Sequence, residues 1–447
     1  MIYGDIDVVA DCGADPTWHV YCDDAFAEAV RGARPGQTIG IPPGLYKTRG
    51  PIIAPPYVGW EGSPATPLVG SWAEYGSVIK PGPDWAQGDC PLNAVIAMLD
   101  QATGGYPTRS EEQHFRNLLL SGSALPAGQP VHGIASLDRV SRVQLRDVHV
   151  GRMTGDGIHQ EYPGDQPGGW TGFHVFSRYN AGHGYLLRSA DSNWTKCLST
   201  NSGHDGWHLD TTGNTEYLGC RSEWSGRSGY SFTCRNNRTA SGGVAFTGCR
   251  TDRSAGNGFL AAPGLAIPLS LTGCTFKRDG ASNGAGDAGI RIRDFPGPVT
   301  ITGCQVFPGL NDDGTGTVTP RQAIRVTGGS RAVFAGCYLQ GRERAWQADE
   351  SSSTIYDRTT TWARGPTSAP VIVPGPGLRA QRSARPTPCR AEAPCLHGYC
   401  VAVRPPSSVR TWPVTKADAG EQNSSSAPMR SSASAIRRNG IRATRRS

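Results

Sequence analysis

Asp156, His183 and Asp205 are the residues of this 447-residue chain best placed for chemistry. Each precedes a glycine and stands two residues ahead of a bulky apolar anchor: Ile158, Tyr185 and Trp207. Ser228 and Asn257 take the same place before Tyr230 and Phe259. A constant offset from a recurring anchor makes one column only if the chain coils and stacks strand on strand. At about 4.8 Å per coil, the two carboxylates then stand roughly 9–10 Å apart. That approaches the separation for inverting glycoside hydrolysis, with His183 between them as a tuning group. The plainer alternative is that Asp-Gly and His-Gly simply turn the chain between strands.

Beyond the anchors, outward positions carry Glu161, Arg188 and Asp210, and one step earlier His159, Leu186 and His208. Alternating charges on neighbouring coils would form a surface ion ladder, which stabilises little. The functional alternative is a substrate-binding set of Arg188, Glu161, Asp210 and His208, with Arg188 neutralising an acidic sugar. Trp170 and Trp224 lie in or beside loops and could stack on sugar rings, whereas Trp194 occupies a core-facing slot. Asp312 and Asp313 form the one acidic knot in a long loop, which solvation explains. Calcium therefore has no support, and no metal or cofactor is expected. The chain carries no P-loop, dinucleotide fingerprint or nucleophile elbow.

The elements that must position these residues are short strands in a repeat. Its strongest unit ends in Gly-Cys, as in Thr215-Glu216-Tyr217-Leu218-Gly219-Cys220 and Val244-Ala245-Phe246-Thr247-Gly248-Cys249. It recurs at Leu269–Cys274, Val299–Cys304 and Ala332–Cys337, with a variant at Ser192–Cys197. The spacings of 23, 29, 25, 30 and 33 residues fit one coil of a solenoid with loops of variable length. Ten residues on comes a second strand, whose alternation turns Ile158, Tyr185, Trp207, Tyr230 and Phe259 inward. No coil can bury that face alone, but stacked coils bury a continuous core. Cys197, Cys220, Cys249, Cys274, Cys304 and Cys337 should then form an inward ladder. Side chains in parallel register point the same way and make poor disulfides, so the ladder reads as small buried hydrophobes.

Residues 7–80 carry the most specific text. Val9, Asp11, Gly13 and Ala14 lie in a strand and turn, followed by an amphipathic helix with Asp23 as N-cap. Gly36, Ile39, Ile41, Pro42, Pro43, Gly44 and Tyr46 complete a strand-break-strand. This order resembles the N-terminal signature of the pectate-lyase-like superfamily, and residues 130–340 resemble it in repeat style. The loop Pro16–Asp23 departs from the usual link in that group. The resemblance implies a right-handed parallel β-helix acting on polysaccharides through acidic or basic side chains from adjacent coils. Gly182-His183-Gly184 is also similar to the Gly-His-Gly of polygalacturonases, whose Asn-Thr-Asp and Asp-Asp motifs are absent here.

The expected fold is thus all-β: a single-stranded right-handed parallel β-helix with an N-terminal capping helix and a disordered C-terminal tail. The boundaries are 1–40 for the strand and capping helix, 41–345 for the β-helix, and 346–447 for linker and tail. From Arg379 to the end, 13 Lys/Arg face 3 Asp/Glu, so the net +7 hides a mildly acidic body and a basic tail. That tail lacks aromatic interleaving, which argues for disorder and against nucleic acid. Cys389, Cys395, His397 and Cys400 cluster in it at spacings poor for zinc. No run of eighteen apolar residues exists, so no membrane span is expected. The start MIYGDIDVVADCG does not read as a secretory signal, so either the protein is not exported by that route, or the start is trimmed or lies in a larger particle; the expected location is extracellular or virion-associated. The functional expectation is a polysaccharide-binding and polysaccharide-degrading β-helix, of hydrolase or lyase type. Asp156, His183 and Asp205 are its catalytic set. The rivals are a phage tail-spike, with a homotrimer as its assembly, and a non-catalytic adhesive solenoid.

Overall fold

The computed structural model describes residues 4–64, 74–99, 111–137, 140–161, 168–210, 213–233, 242–264, 266–282, 287–356 and 360–362. Each coil lays down three short strands, one in each of three parallel sheets, here called A, B and C. Thr215–Leu218 lies in sheet A, Arg221–Glu223 in sheet B and Tyr230–Phe232 in sheet C. The next coil repeats them in register as Val244–Thr247, Arg250–Asp252 and Phe259–Ala261. Between sheets A and B the chain turns through one left-handed residue. It is Gly219, Gly248, Gly273, Gly303 and Gly336 in successive coils, with φ of 60–62°. The cysteine that follows points inward.

The six cysteines form the expected buried ladder, and all six are thiols rather than disulfides. Cys220, Cys249 and Cys274 each donate a weak hydrogen bond to a carbonyl one coil earlier, those of Trp194, Tyr217 and Phe246, at 3.2–3.4 Å. The anchors also stack. Ile158, Tyr185, Trp207, Tyr230 and Phe259 pair in register and are buried. Tyr185 and Trp207 lie ring on ring at 3.7 Å. Such aromatic columns supply much of the apolar burial that holds thin coils together.

Within the repeat, the sheet B strands are the ones that the sequence pattern did not reveal. In the four coils from Phe176 to Asp252 they have three residues and one inward position, filled by Ser177, Ser199, Ser222 and Thr251, whereas Leu120, Val150, Phe276 and Val306 fill it in the coils on either side. These buried hydroxyls are satisfied locally: Ser199 pairs with Ser202 and Ser222 with Ser225, both at 2.9 Å.

The helix Asp23–Gly32 closes the N-terminal end, with Ala25, Phe26 and Ala29 buried and Phe26 against Tyr46 and Trp60. Its N-cap is Cys22, not Asp23. The Asp23 carboxylate instead accepts the backbone N–H groups of Arg49 and Gly50. The stack also exceeds the expected 41–345. Ile6–Asp7 and Thr17–Tyr21 already pair in sheets A and B, and Arg344–Ala348, Ser353–Tyr356 and Thr361–Trp362 add a last coil. The polar sequence of that coil hid it. The tail cluster Cys389, Cys395, His397 and Cys400 lies outside the described residues. Among those residues, no helix is long and apolar enough to cross a membrane.

Candidate functional site

The corner leading into sheet C brings the predicted column together. Ile134, Ile158, Tyr185 and Trp207 pair in register, so His132, Asp156, His183 and Asp205, each two residues earlier, follow one another coil by coil. The glycine after each column residue is not there to turn the chain, since Gly157, Gly184 and Gly206 keep ordinary negative φ. It is there for space. A Cβ at Gly157, Gly184 or Gly206 would run into the hydroxyl of Ser177, Ser199 or Ser222. This packing presses the column residues onto the next coil.

Two clusters of the same make result, one double-coil step apart. In the first, Asp156 Oδ2 accepts from His159 Nδ1 at 2.6 Å and lies 3.5 Å from His132 Nδ1. His132 Nδ1 itself accepts the Asp156 backbone N–H at 2.9 Å, and the His132 and His159 rings lie 3.9 Å apart. Nε2 of His159 meets Glu161 at 3.1 Å, and Glu161 pairs with Arg188 at 3.0 Å. In the second, Asp205 Oδ2 accepts from His208 Nδ1 at 3.0 Å and lies 3.6 Å from His183 Nδ1. Asp205 Oδ1 accepts the Ser228 N–H at 2.9 Å. The clusters touch through the His183 N–H, which donates to Asp156 Oδ1 at 2.6 Å.

The electrostatics separate carboxylates from imidazoles. Burial opposes ionisation of Asp156, but the hydrogen bond from His159 and the surrounding imidazoles outweigh it and hold the carboxyl at about 2. Asp205 is lowered in the same way: burial works against it, and the His208 bond and His183 prevail. His159 moves up, because bonds to Asp156 and Glu161 overcome its burial. Burial takes His132 and His183 down to about 4. The hydrogen bond from His159, helped by Arg188, keeps Glu161 at about 2. Neither aspartate therefore holds a proton to donate near neutral pH, whereas His159 is shifted toward its protonated form.

The first cluster opens into a cleft of about 650 Å³ walled by Trp85, Asn93, Gln129 and Pro130 as well as His132, His159 and Glu161. Of the other predicted residues, Asp210 follows the next sheet C strand and is buried. Trp224 sits at the sheet B end of its corner, 40% exposed, with Arg253 over its ring at 4.9 Å and Asp312 near its Nε1. Trp170 is a correction: it is fully buried, its Nε1 donates to the Val140 carbonyl at 3.0 Å, and it belongs to the core. Asp312 is engaged by Arg253 and Arg278, which leaves no open acidic knot there. His132 and His159 were not predicted as site residues. Their signal was present, since Asp156-Gly157-Ile158-His159 and Asp205-Gly206-Trp207-His208 repeat one pattern.

Solved structures with the same coil architecture include the tailspike gp42 of Acinetobacter phage vb_AbaP_AS12, with TM-score 0.50 and 12% identity over 81% of this chain and 65% of that one. The enzymatically active domain of tailspike protein 2 of bacteriophage CBA120 matches with TM-score 0.51 and 13% identity, over 76% and 48%. The catalytic domain of a GH87 α-1,3-glucanase, solved with tetrasaccharides, matches with TM-score 0.51 and 9% identity, over 77% and 68%. The fold is a right-handed parallel β-helix. The β-helix spans less than two thirds of either tailspike chain. No protein-family model matches the sequence.

Proposed function

We propose that this β-helix binds and cleaves a polysaccharide laid across the coils at the sheet C corner. The observation that carries the reading is the pair of Asp-His clusters with buried carboxylates, the first of which opens into a cleft through His132 and His159. His159, clamped between Asp156 and Glu161, is the proton-donating pole. Asp205 holds Nδ1 of His208, which directs the other ring nitrogen to accept a proton, as a base requires. The poles stand two coils apart, roughly 9–10 Å, room for a sugar ring and its linkage. Asp156 and Asp205 are then positioning residues. Arg188, paired with Glu161, offers a cation for a uronate carboxylate. The α-1,3-glucanase domain of this fold, solved with tetrasaccharides, supports carbohydrate as the substrate class. The test is a polysaccharide panel read for new reducing ends and for unsaturated uronates, which separate hydrolysis from elimination. No product from any member removes the enzymatic reading.

The second reading sets the same chain in a phage tail-spike, favoured by the two tailspikes that share its fold. Its test is mass in solution, where a homotrimer supports it and a monomer counts against it.

A further inference from the structure

We propose that the second cluster, His183, Asp205 and His208, binds a late first-row divalent cation of the zinc type. The Nδ1 atoms of His208 and His183 lie 3.0 and 3.6 Å from the same Asp205 Oδ2, and all three candidate ligand atoms fall within 4.8 Å of one another. Ligands held at about 2.0–2.1 Å around a tetrahedral zinc are about 3.3 Å apart. Two edges of the triangle already bracket that spacing.

The first cluster has the same residue types and serves as an internal comparison. There the nitrogens are spoken for. His132 Nδ1 accepts a backbone N–H, and His159 meets a carboxylate from each ring nitrogen. That cluster satisfies itself with protons. In the second, His183 Nδ1 is buried and makes no hydrogen bond among the described residues. A buried nitrogen without a partner is costly, and a cation taking its lone pair removes the cost.

The surroundings hold the three ligands in place. The Ser228 N–H fixes Asp205 through Oδ1, which leaves Oδ2 for the imidazoles. The His183 main chain is tied to Asp156, and the His204 ring packs edge-on at 5.1 Å. Such outer contacts orient ligands as they do in metal sites generally. Two imidazoles and one carboxylate oxygen suit zinc, cobalt or nickel, and not calcium, which seeks six to eight oxygens. Coordination through Nδ1 moves the proton that His208 shares with Asp205 to Nε2, so the ring binds as a neutral imidazole. Three protein ligands leave a position for water. In the loaded state that water takes over the proton-accepting pole from His208.

The experiment uses the full chain, stripped with a chelator and titrated with Zn²⁺, Co²⁺ and Ca²⁺ by calorimetry and absorption. Zinc is expected to bind. His183→Gln and His208→Gln should each weaken it by at least about 100-fold, while His159→Gln leaves it unchanged. Bound Co²⁺ should show visible ligand-field bands without a thiolate charge-transfer band, which excludes the cysteines as ligands. The proposal is overturned if zinc does not bind, binds no better than calcium, survives both histidine changes, or gives a thiolate-dominated cobalt spectrum. If a variant does not fold, the wild-type cobalt spectrum decides. Binding is read without substrate, so its failure is distinct from failure of the polysaccharide reading.

Discussion

Asp156 accepts a 2.6 Å hydrogen bond from His159, and the same pair of residue types recurs as Asp205 and His208 two coils further on. The recurrence is possible because the stack repeats local geometry at each coil. The two copies nevertheless differ in their neighbours. His159 has Glu161 on its far nitrogen and is driven toward the protonated form. His183 beside the second aspartate is driven toward the neutral form. A repeating scaffold thereby yields two clusters of unlike character.

His159 sets the alkaline side of the activity profile. Its pKa lies above the ordinary 6.5, so the donating form is full below that value and is lost as pH rises through the raised one. His159→Gln should lower kcat by about 10²–10⁴ and erase that limb. A pH–rate profile with an unchanged alkaline limb in the variant would assign the donor elsewhere.

Asp279 makes stability depend on pH in the opposite sense from most carboxylates. It is fully buried against Thr251 and Ser254, and burial raises it to about 7. The folded state therefore holds this proton more tightly than the unfolded one. Stability from this group is greatest below its usual 3.8, declines as pH rises toward about 7, and is constant beyond. Asp279→Asn should flatten the decline, which is on the order of a few kcal/mol in wild type. Urea midpoints at several pH values measure it.

Gly206 has a packing role that substitution exposes. Gly206→Ala should destabilise the coil by about 1–3 kcal/mol, because the new methyl meets the Ser222 hydroxyl. Ser222→Gly in the same chain should recover part of the loss. Equal stability of Gly206→Ala and wild type in thermal melts would refute the close-approach account.

Much of the architecture is legible because stacking writes itself into the sequence as repeats. The Gly-Cys steps and the anchors Tyr185, Trp207 and Tyr230 carry hydrophobic signals at fixed offsets, and these fall into register. The central sheet B strands are illegible for the opposite reason, since Ser199 and Ser222 leave no apolar trace. The column Asp156–His183–Asp205 is visible from its offset. His132 escapes notice because it lies ahead of the clear repeats. The role of His159 depends on side-chain contacts across three residues, which an in-or-out pattern does not encode. Trp170 misleads because a tryptophan beside a glycine-rich stretch reads as loop, whereas the fold turns it inward.

Asp205 offers the most direct measurement. Wild type and Asp205→Asn are compared on the polysaccharide that gives product, with circular dichroism as the check on folding. Asparagine keeps the oxygen for the Ser228 N–H but no longer holds the His208 ring as a carboxylate does. The expected result is a folded variant with kcat reduced by about 10²–10⁴. A folded variant that cleaves as fast as wild type would contradict the site described above.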